Sequence, residues 1–190
     1  MLRALPIPDE DLAAQAAGGS RRAFEELVLR YGGRVVAVLE RRLGDHHLAL
    51  DLAQESWVRV YRAMPRYSEG RSFRSWLFAI VLNGARDEQR RRGRSPLKYV
   101  EQVPGQAPEV AAQISREAID AALSQVAEPH RTALILVDIE QLTYQECAEA
   151  LGVALGTAKS RVHRGRHLFR AAYGPLTEFD TPDGRAEAQP

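Results

Sequence analysis

The sequence predicts an all-α protein built as two small helical domains joined by a flexible linker. Three observations carry that expectation. Apolar residues recur at helical spacing through nearly every ordered stretch. One Pro- and Gly-containing segment interrupts the pattern near the middle of the chain. Basic residues, in a chain whose net charge is only +1, gather at the end of each half instead of being spread. With 190 residues and 45% hydrophobic content there is room for one ordinary domain or two small ones, and two fit the interruption better.

Asp9 to Ala17 reads as a first helix, broken and recapped by Gly18-Gly19-Ser20. Ala23, Phe24, Leu27, Val28 and Tyr31 then resume helical spacing, Gly32-Gly33 bends or interrupts it, and Val35, Val36, Val38 and Leu39 carry it on. After a stop at Gly44-Asp45, a longer helix runs from about Leu48 to Met64. Its predicted buried stripe is Leu50, Ala53, Trp57, Val60, Tyr61 and Met64, with Asp51, Gln54, Glu55 and Arg62 on the other side. Pro65 to Arg71 reads as a polar loop. Phe73 leads the next helix through Trp76, Leu77, Ile80 and Val81 into a basic end, Arg86, Arg90, Arg91, Arg92 and Arg94, closing a first domain at 9–94.

Pro96, Pro104, Gly105 and Pro108 mark 95–113 as the linker. Helical spacing returns at Ile114, Ala118, Ala122 and Leu123, and Pro129 suits the first turn of a helix carrying Leu134, Ile135, Val137 and Asp138. These helices and the motif that follows them form a second domain of four short helices, 114–173. Beyond it, 174–190 is acidic and holds Pro182 and Gly184, a composition that predicts a disordered tail.

Thr143 to His167 is the most informative stretch. Thr143 and Glu146 have the spacing of a capping box, so a helix starts near Tyr144. Cys147, Ala148 and Leu151 form its apolar face and Gly152 supplies a turn. Gly156-Thr157 opens a second helix bearing Lys159, Arg161, Arg164 and Arg166. This is a helix-turn-helix pattern, whose second helix can enter a DNA major groove with early residues at base edges and later cations on phosphates. Between Gly156 and Arg170 there is no acid, so the patch can neutralise phosphates and release counterions.

Other chemistries find little support. Cys147 is the single cysteine, which excludes an intrachain disulfide and reads as a small apolar core residue. There is no Gly-rich phosphate loop, no Cys/His metal spacing and no carboxylate cluster with a base, and His46-His47 sit in a surface turn. No catalytic residue, metal, cofactor or small-molecule substrate is therefore expected. Nor does any apolar run suffice for a signal peptide or a membrane span, so a cytoplasmic protein that is not integral to the membrane is expected.

Three motifs in order resemble those of the extracytoplasmic-function sigma factors of bacterial RNA polymerase, in the sigma-70 family. DLAQESWVRVYRAM (Asp51 to Met64) looks like their polymerase-binding helix. FRSWLFAIVLNGARDEQRRR (Phe73 to Arg92) looks like their promoter-melting and minus-10 helix, and TYQECAEALGVALGTAKSRVHRGR (Thr143 to Arg166) is similar to their minus-35 reader. The resemblance implies a sigma region 2-like bundle and a sigma region 4-like helix-turn-helix. It also implies core RNA polymerase, promoter DNA and an anti-sigma factor as partners. Carried over by position, it implies polymerase docking at Asp51, Gln54 and Glu55. Minus-10 contacts fall at Tyr67, Trp76, Asn83, Arg86, Arg90 and Arg91, and minus-35 contacts at Thr157, Lys159, Ser160, Arg161, His163, Arg164 and Arg166. Trp76 also fits the apolar period of its helix, whereas Tyr67, in a polar loop, is free to stack on an extruded base. Ala154 and Ala158 depart from the family pattern, which often has proline and a larger aliphatic there. A repressor or activator using the same helix-turn-helix without polymerase would explain Thr143 to His167 but not the Asp51 stripe or the first basic helix.

Overall fold

A computed structural model describes residues 7–68, 70–92 and 110–174, apart from the side chains of 110–116. Among these residues every element is helical. α1 (Asp9–Ala17), α2 (Arg21–Leu43), α3 (His46–Ala63), a 3-10 turn (Met64–Arg66) and α4 (Phe73–Arg92) form a first module. A second comprises α5 (Val110–Gln125), α6 (Glu128–Leu134) continuing as a wider π-helical stretch (Ile135–Ile139), α7 (Tyr144–Leu151) and α8 (Leu155–Tyr173). The expected tail from residue 175 and most of the expected linker lie outside the described residues.

Local chemistry explains the boundaries. The Ala23 amide donates to the Ser20 hydroxyl at 3.3 Å and the Leu48 amide to the Asp45 carboxylate at 2.9 Å, satisfying free donors where α2 and α3 begin. At α7 both halves of the capping box form: the Glu146 amide donates to Thr143 Oγ1 at 3.2 Å, and the Thr143 amide donates to Glu146 Oε2 at 2.8 Å. Gly152 ends α7 in the left-handed region, φ 67°, where a Cβ would be strained.

Two expectations need correction. Gly32-Gly33 does not interrupt α2, which runs unbroken from Arg21 to Leu43 with Leu27, Tyr31, Val35, Val38 and Leu39 burying one continuous stripe. A Cβ at Gly33 would meet nothing within 4 Å. Gly33→Ala is accordingly expected to stabilise the chain by about 0.5–1 kcal/mol, read as a raised urea midpoint. The stripe of α3 is also rotated from its predicted position. Ala49, Leu52, Ala53, Ser56 and Val60 face the core, while Leu50 and Tyr61, expected inside, are 37% and 60% exposed. A helix with apolar residues on two sides does not announce which side is buried.

The two modules, whose relative placement the sequence left open, pack directly on one another, α4 against α7 above all. Phe73, Leu77, Phe78, Val81 and Leu82 from the first and Ile135, Leu136, Cys147 and Leu151 from the second belong to one continuous core. Burial pushes the Cys147 thiol up to about 11, with Arg161 pulling weakly the other way. Within the second module α8 crosses α6 closely at Gly165, where a Cβ would lie 2.9 Å from the His130 carbonyl oxygen. Alanine gains about 1 kcal/mol in helix propensity, but overpacking against backbone costs roughly 1–3 kcal/mol. Gly165→Ala should therefore lower the urea midpoint, opposite in sign to Gly33→Ala; an unchanged or raised midpoint would show that α6 and α8 can part freely.

Candidate nucleic-acid interface

The outer face of α8 is laid out by its packing. Ala158, Val162 and Gly165 turn inward, so positions one turn apart on the other side are left to solvent, and Lys159, Ser160, His163 and Arg164 are all exposed. Neither Lys159 nor Arg164 has an ion-pair partner among the described residues, so both cations are available to a ligand. Thr157 and Arg161 are half-buried on the flanks. Arg161 lines a cleft of about 280 Å³ between the modules with Arg86, Glu128 and Leu151. Arg166 is held by Asp138 in a two-pronged pair at 3.0 and 2.7 Å, and those hydrogen bonds raise its pKa despite partial burial. That pairing fixes Arg166 along the π-helical stretch, at the edge of the exposed row.

A second row lies on α4. Asn83, Arg90 and Arg91 are exposed. Arg91 pairs with Glu88 at 2.9 Å, and Asn83 accepts a hydrogen bond from Arg86 at 2.8 Å. The other arm of Arg86 donates to the Leu151 carbonyl at 3.1 Å, across the junction of the modules. Tyr67 and Trp76 do not stand in this row. Tyr67, expected on the surface of a polar loop, is 7% exposed, and Trp76 is 8% exposed. Their rings meet edge to face at 5.3 Å, Phe73 packs against both, and the Tyr67 hydroxyl donates to the Arg71 carbonyl. Burial also pushes the Tyr67 phenol above its ordinary range. Loop polarity misled here because the ring turns inward onto residues contributed by α4.

On α3, Asp51, Gln54 and Glu55 are exposed as expected, with Glu55 loosely paired to Arg59 at 3.6 Å. Sequence reasoning missed their apolar neighbours. Leu50, Val58 and Tyr61, with Leu29 of α2 80% exposed, leave an uncovered apolar surface beside the acids. The recurrence of Leu50, Gln54, Trp57, Val58 and Tyr61 at helical spacing could have revealed this second stripe. Among the described residues no group of His, Cys, Asp and Glu could hold a metal ion, and no helix is long and apolar enough to cross a membrane.

Comparisons with known proteins agree with this layout. The Sigma-70 region 2 family matches residues 27–95 and the Sigma-70 region 4 family residues 116–168. The ECF RNA polymerase sigma factor SigE of Mycolicibacterium smegmatis is 39% identical over 156 residues, covering 78% of this chain, which spans only 60% of that relative. RNA polymerase sigma-H factor of Pseudomonas aeruginosa is 31% identical over 190 residues, covering 88% of this chain and 95% of the relative. Among solved structures, the sigma factor RpoE of Bartonella quintana, in complex with the anti-sigma factor NepR, is 26% identical with a TM-score of 0.68, covering 78% of this chain and 95% of that one. With both regions matched in order and a near full-length relative above 30% identity, the chain belongs to the extracytoplasmic-function group of the sigma-70 family of RNA polymerase sigma factors.

Proposed function

We propose that residues 9–94 dock on core RNA polymerase and capture the minus-10 strand, and that residues 114–173 read the minus-35 duplex. The exposed row Lys159, Ser160, His163 and Arg164 carries this reading. It presents donors and cations on one side of the second helix of a helix-turn-helix, the side that can enter a major groove. Within it Arg164 reads a base edge, while Thr157, Arg161 and Arg166 position the helix on phosphates. In the first module Asn83 contacts an unpaired base, and Arg86, Arg90 and Arg91 follow the backbone. Tyr67 and Trp76 act chiefly as the packed wall behind that surface. Asp51, Gln54 and Glu55 set the register and rate of polymerase docking. Leu50, Val58 and Tyr61 supply apolar contact area.

The partners are core RNA polymerase, promoter DNA and an anti-sigma factor, like the one named with the Bartonella protein, and the setting is the cytoplasm. The chain acts as a binding and positioning factor, not an enzyme. Even a base–aromatic stack is worth only about 1–3 kcal/mol against the roughly 1.4 kcal/mol lost per opened step, and with Tyr67 and Trp76 buried the chain holds an unpaired base through Asn83 while polymerase supplies most of the bubble. Run-off transcription with purified core polymerase on genomic fragments tests the whole reading; no product above the core-only background would overturn it. In the same assay Arg164→Ala should reduce preference for the cognate minus-35 element about 5- to 150-fold, matching roughly 1–3 kcal/mol for a two-pronged base contact. Equal weakening on all promoters would make Arg164 a phosphate anchor instead.

A further inference from the structure

Several carboxylates of the second module turn towards the first. Glu140 meets Arg34 at 2.6 Å, Glu146 meets Arg74 at 3.2 Å and Ser72 at 2.6 Å, and Glu149 accepts from Ser75 at 3.0 Å. Asp138 turns instead onto α8. It stands on the π-helical stretch, a turn wide enough for the Glu140 amide to reach the Ile135 carbonyl at 2.9 Å, and widened turns of this kind recur where a helix serves a site. From there both of its oxygens are engaged by Arg166: Nε donates to Oδ2 at 3.0 Å and Nη2 to Oδ1 at 2.7 Å.

Those two nitrogens form an edge of the guanidinium that can grip a phosphate through two parallel bonds. Arg166 therefore cannot offer that edge to DNA without parting from Asp138. Its neighbours differ, since Lys159 and Arg164 stand exposed and α8 itself carries no acid between Gly156 and Arg170. The pair is also open to exchange. The Arg166 and Asp138 side chains keep 35% and 34% of their exposure, so water and salt reach them and the pair adds little to folding.

We propose that Asp138 is a positioning residue that sets sequence discrimination through Arg166, serving as a counterion built into the protein. On a duplex of the wrong sequence Arg166 stays neutralised by Asp138 and adds nothing to phosphate binding. On the cognate element, base contacts from Arg164 and its row seat α8, a phosphate comes opposite the guanidinium edge, and the carboxylate gives way. The cation thus counts where the sequence is right and is withheld elsewhere. A simple staple between helices would show no such dependence on DNA sequence. The inference deepens the minus-35 reading and rests on it.

Counterion release sets the scale. Each phosphate neutralised steepens the fall of log affinity with log salt by about 0.9, which near about 50 mM salt amounts to roughly tenfold in affinity. Removing the Asp138 charge should add one such contact on scrambled DNA and little on the cognate element, where the contact already forms.

The test is fluorescence anisotropy of the full chain, over a range of salt, with two labelled duplexes: one carries the minus-35 element found by run-off transcription, the other the same bases in scrambled order. Asp138→Asn keeps the size of the side chain and removes its charge. It is expected to bind the scrambled duplex about tenfold tighter near about 50 mM salt, with a slope steeper by about 0.9, while cognate affinity changes less than about threefold. Discrimination then falls. In an Arg166→Ala background the same substitution should give no gain on scrambled DNA, because the cation that Asp138 restrains is gone. Unchanged binding to scrambled DNA, equal gains on both duplexes, or a gain that persists without Arg166 each overturns the proposal. Should Asp138→Asn lose helicity by circular dichroism, Asp138→Ala on the same duplexes decides. The promoter reading fails separately, in the wild-type chain, as absent run-off product or equal affinity for the two duplexes.

Discussion

Trp76→Ala is expected to destabilise the first module by about 3–5 kcal/mol, which places this residue's main role in folding. The indole sits 5.3 Å from the Tyr67 ring and 6.0 Å from Phe73, and Phe73 in turn meets Tyr31 edge to face at 5.5 Å. This four-ring cluster lies where α1, α2, α4 and the loop after Met64–Arg66 converge. Truncation opens a large cavity bounded by rings that cannot all move in. Trp76→Phe retains most of the area and should lose far less. Tyr67→Phe removes only the bond to the Arg71 carbonyl and should cost about 1 kcal/mol. Urea unfolding followed by far-ultraviolet circular dichroism measures all three. A Trp76→Ala chain that folds with native stability yet fails to open promoters would move the indole from the core to the DNA-handling surface.

The second large effect concerns a charge that is buried where the modules meet. Arg42 belongs to α2 but is 2% exposed, covered by Glu128 and Thr132 of α6. Burial pushes its guanidinium pKa down and the Glu128 charge opposes that shift. Stranding a buried charge by removing its partner costs roughly 3–5 kcal/mol, and the lower end applies because a third of Glu128 faces solvent. Unlike a charge sealed within one domain, Arg42 can escape by separation of α2 from α6. Glu128→Ala is thus expected to weaken docking while both modules keep their helices. Hydrogen exchange should accelerate along the α2–α6 contact with little change in helicity. Global unfolding at lower denaturant, with no separate early opening, would show that the modules cannot part without melting.

Features set by residues a few positions apart were legible in the sequence. Thr143, Glu146 and Gly152 delimit α7 through bonds within a single turn, and the spacing of Ser160, His163 and Arg164 alone places them on one side of α8. Features set by tertiary capture were not. The direction of the Tyr67 ring depends on Phe73 and Trp76, and the burial of Arg42 on α6, some 90 residues away in sequence. The rotation of α3 was ambiguous because Leu50, Val58 and Tyr61 are as apolar as the residues that face inward. Docking of the modules left no periodic trace either, since Arg34 with Glu140 and Arg74 with Glu146 look in sequence like ordinary surface charges. Glu146 illustrates the difference. Burial alone would push its carboxyl up, but donation from Ser72 and Thr143 and the charge of Arg74 hold it below the ordinary carboxylate range. Only the Thr143 share of that was visible beforehand.

Cys147 of α7 is fully enclosed within the core, with its sulfur 4.0 Å from the Ala133 carbonyl of α6. Being the sole thiol of the natural chain, it is a built-in clock. Alkylation by iodoacetamide can proceed only during excursions that unseal this core, so its rate reports how often the helix-turn-helix loosens, without any engineered label. A reagent of larger girth would weigh wide excursions against narrow ones.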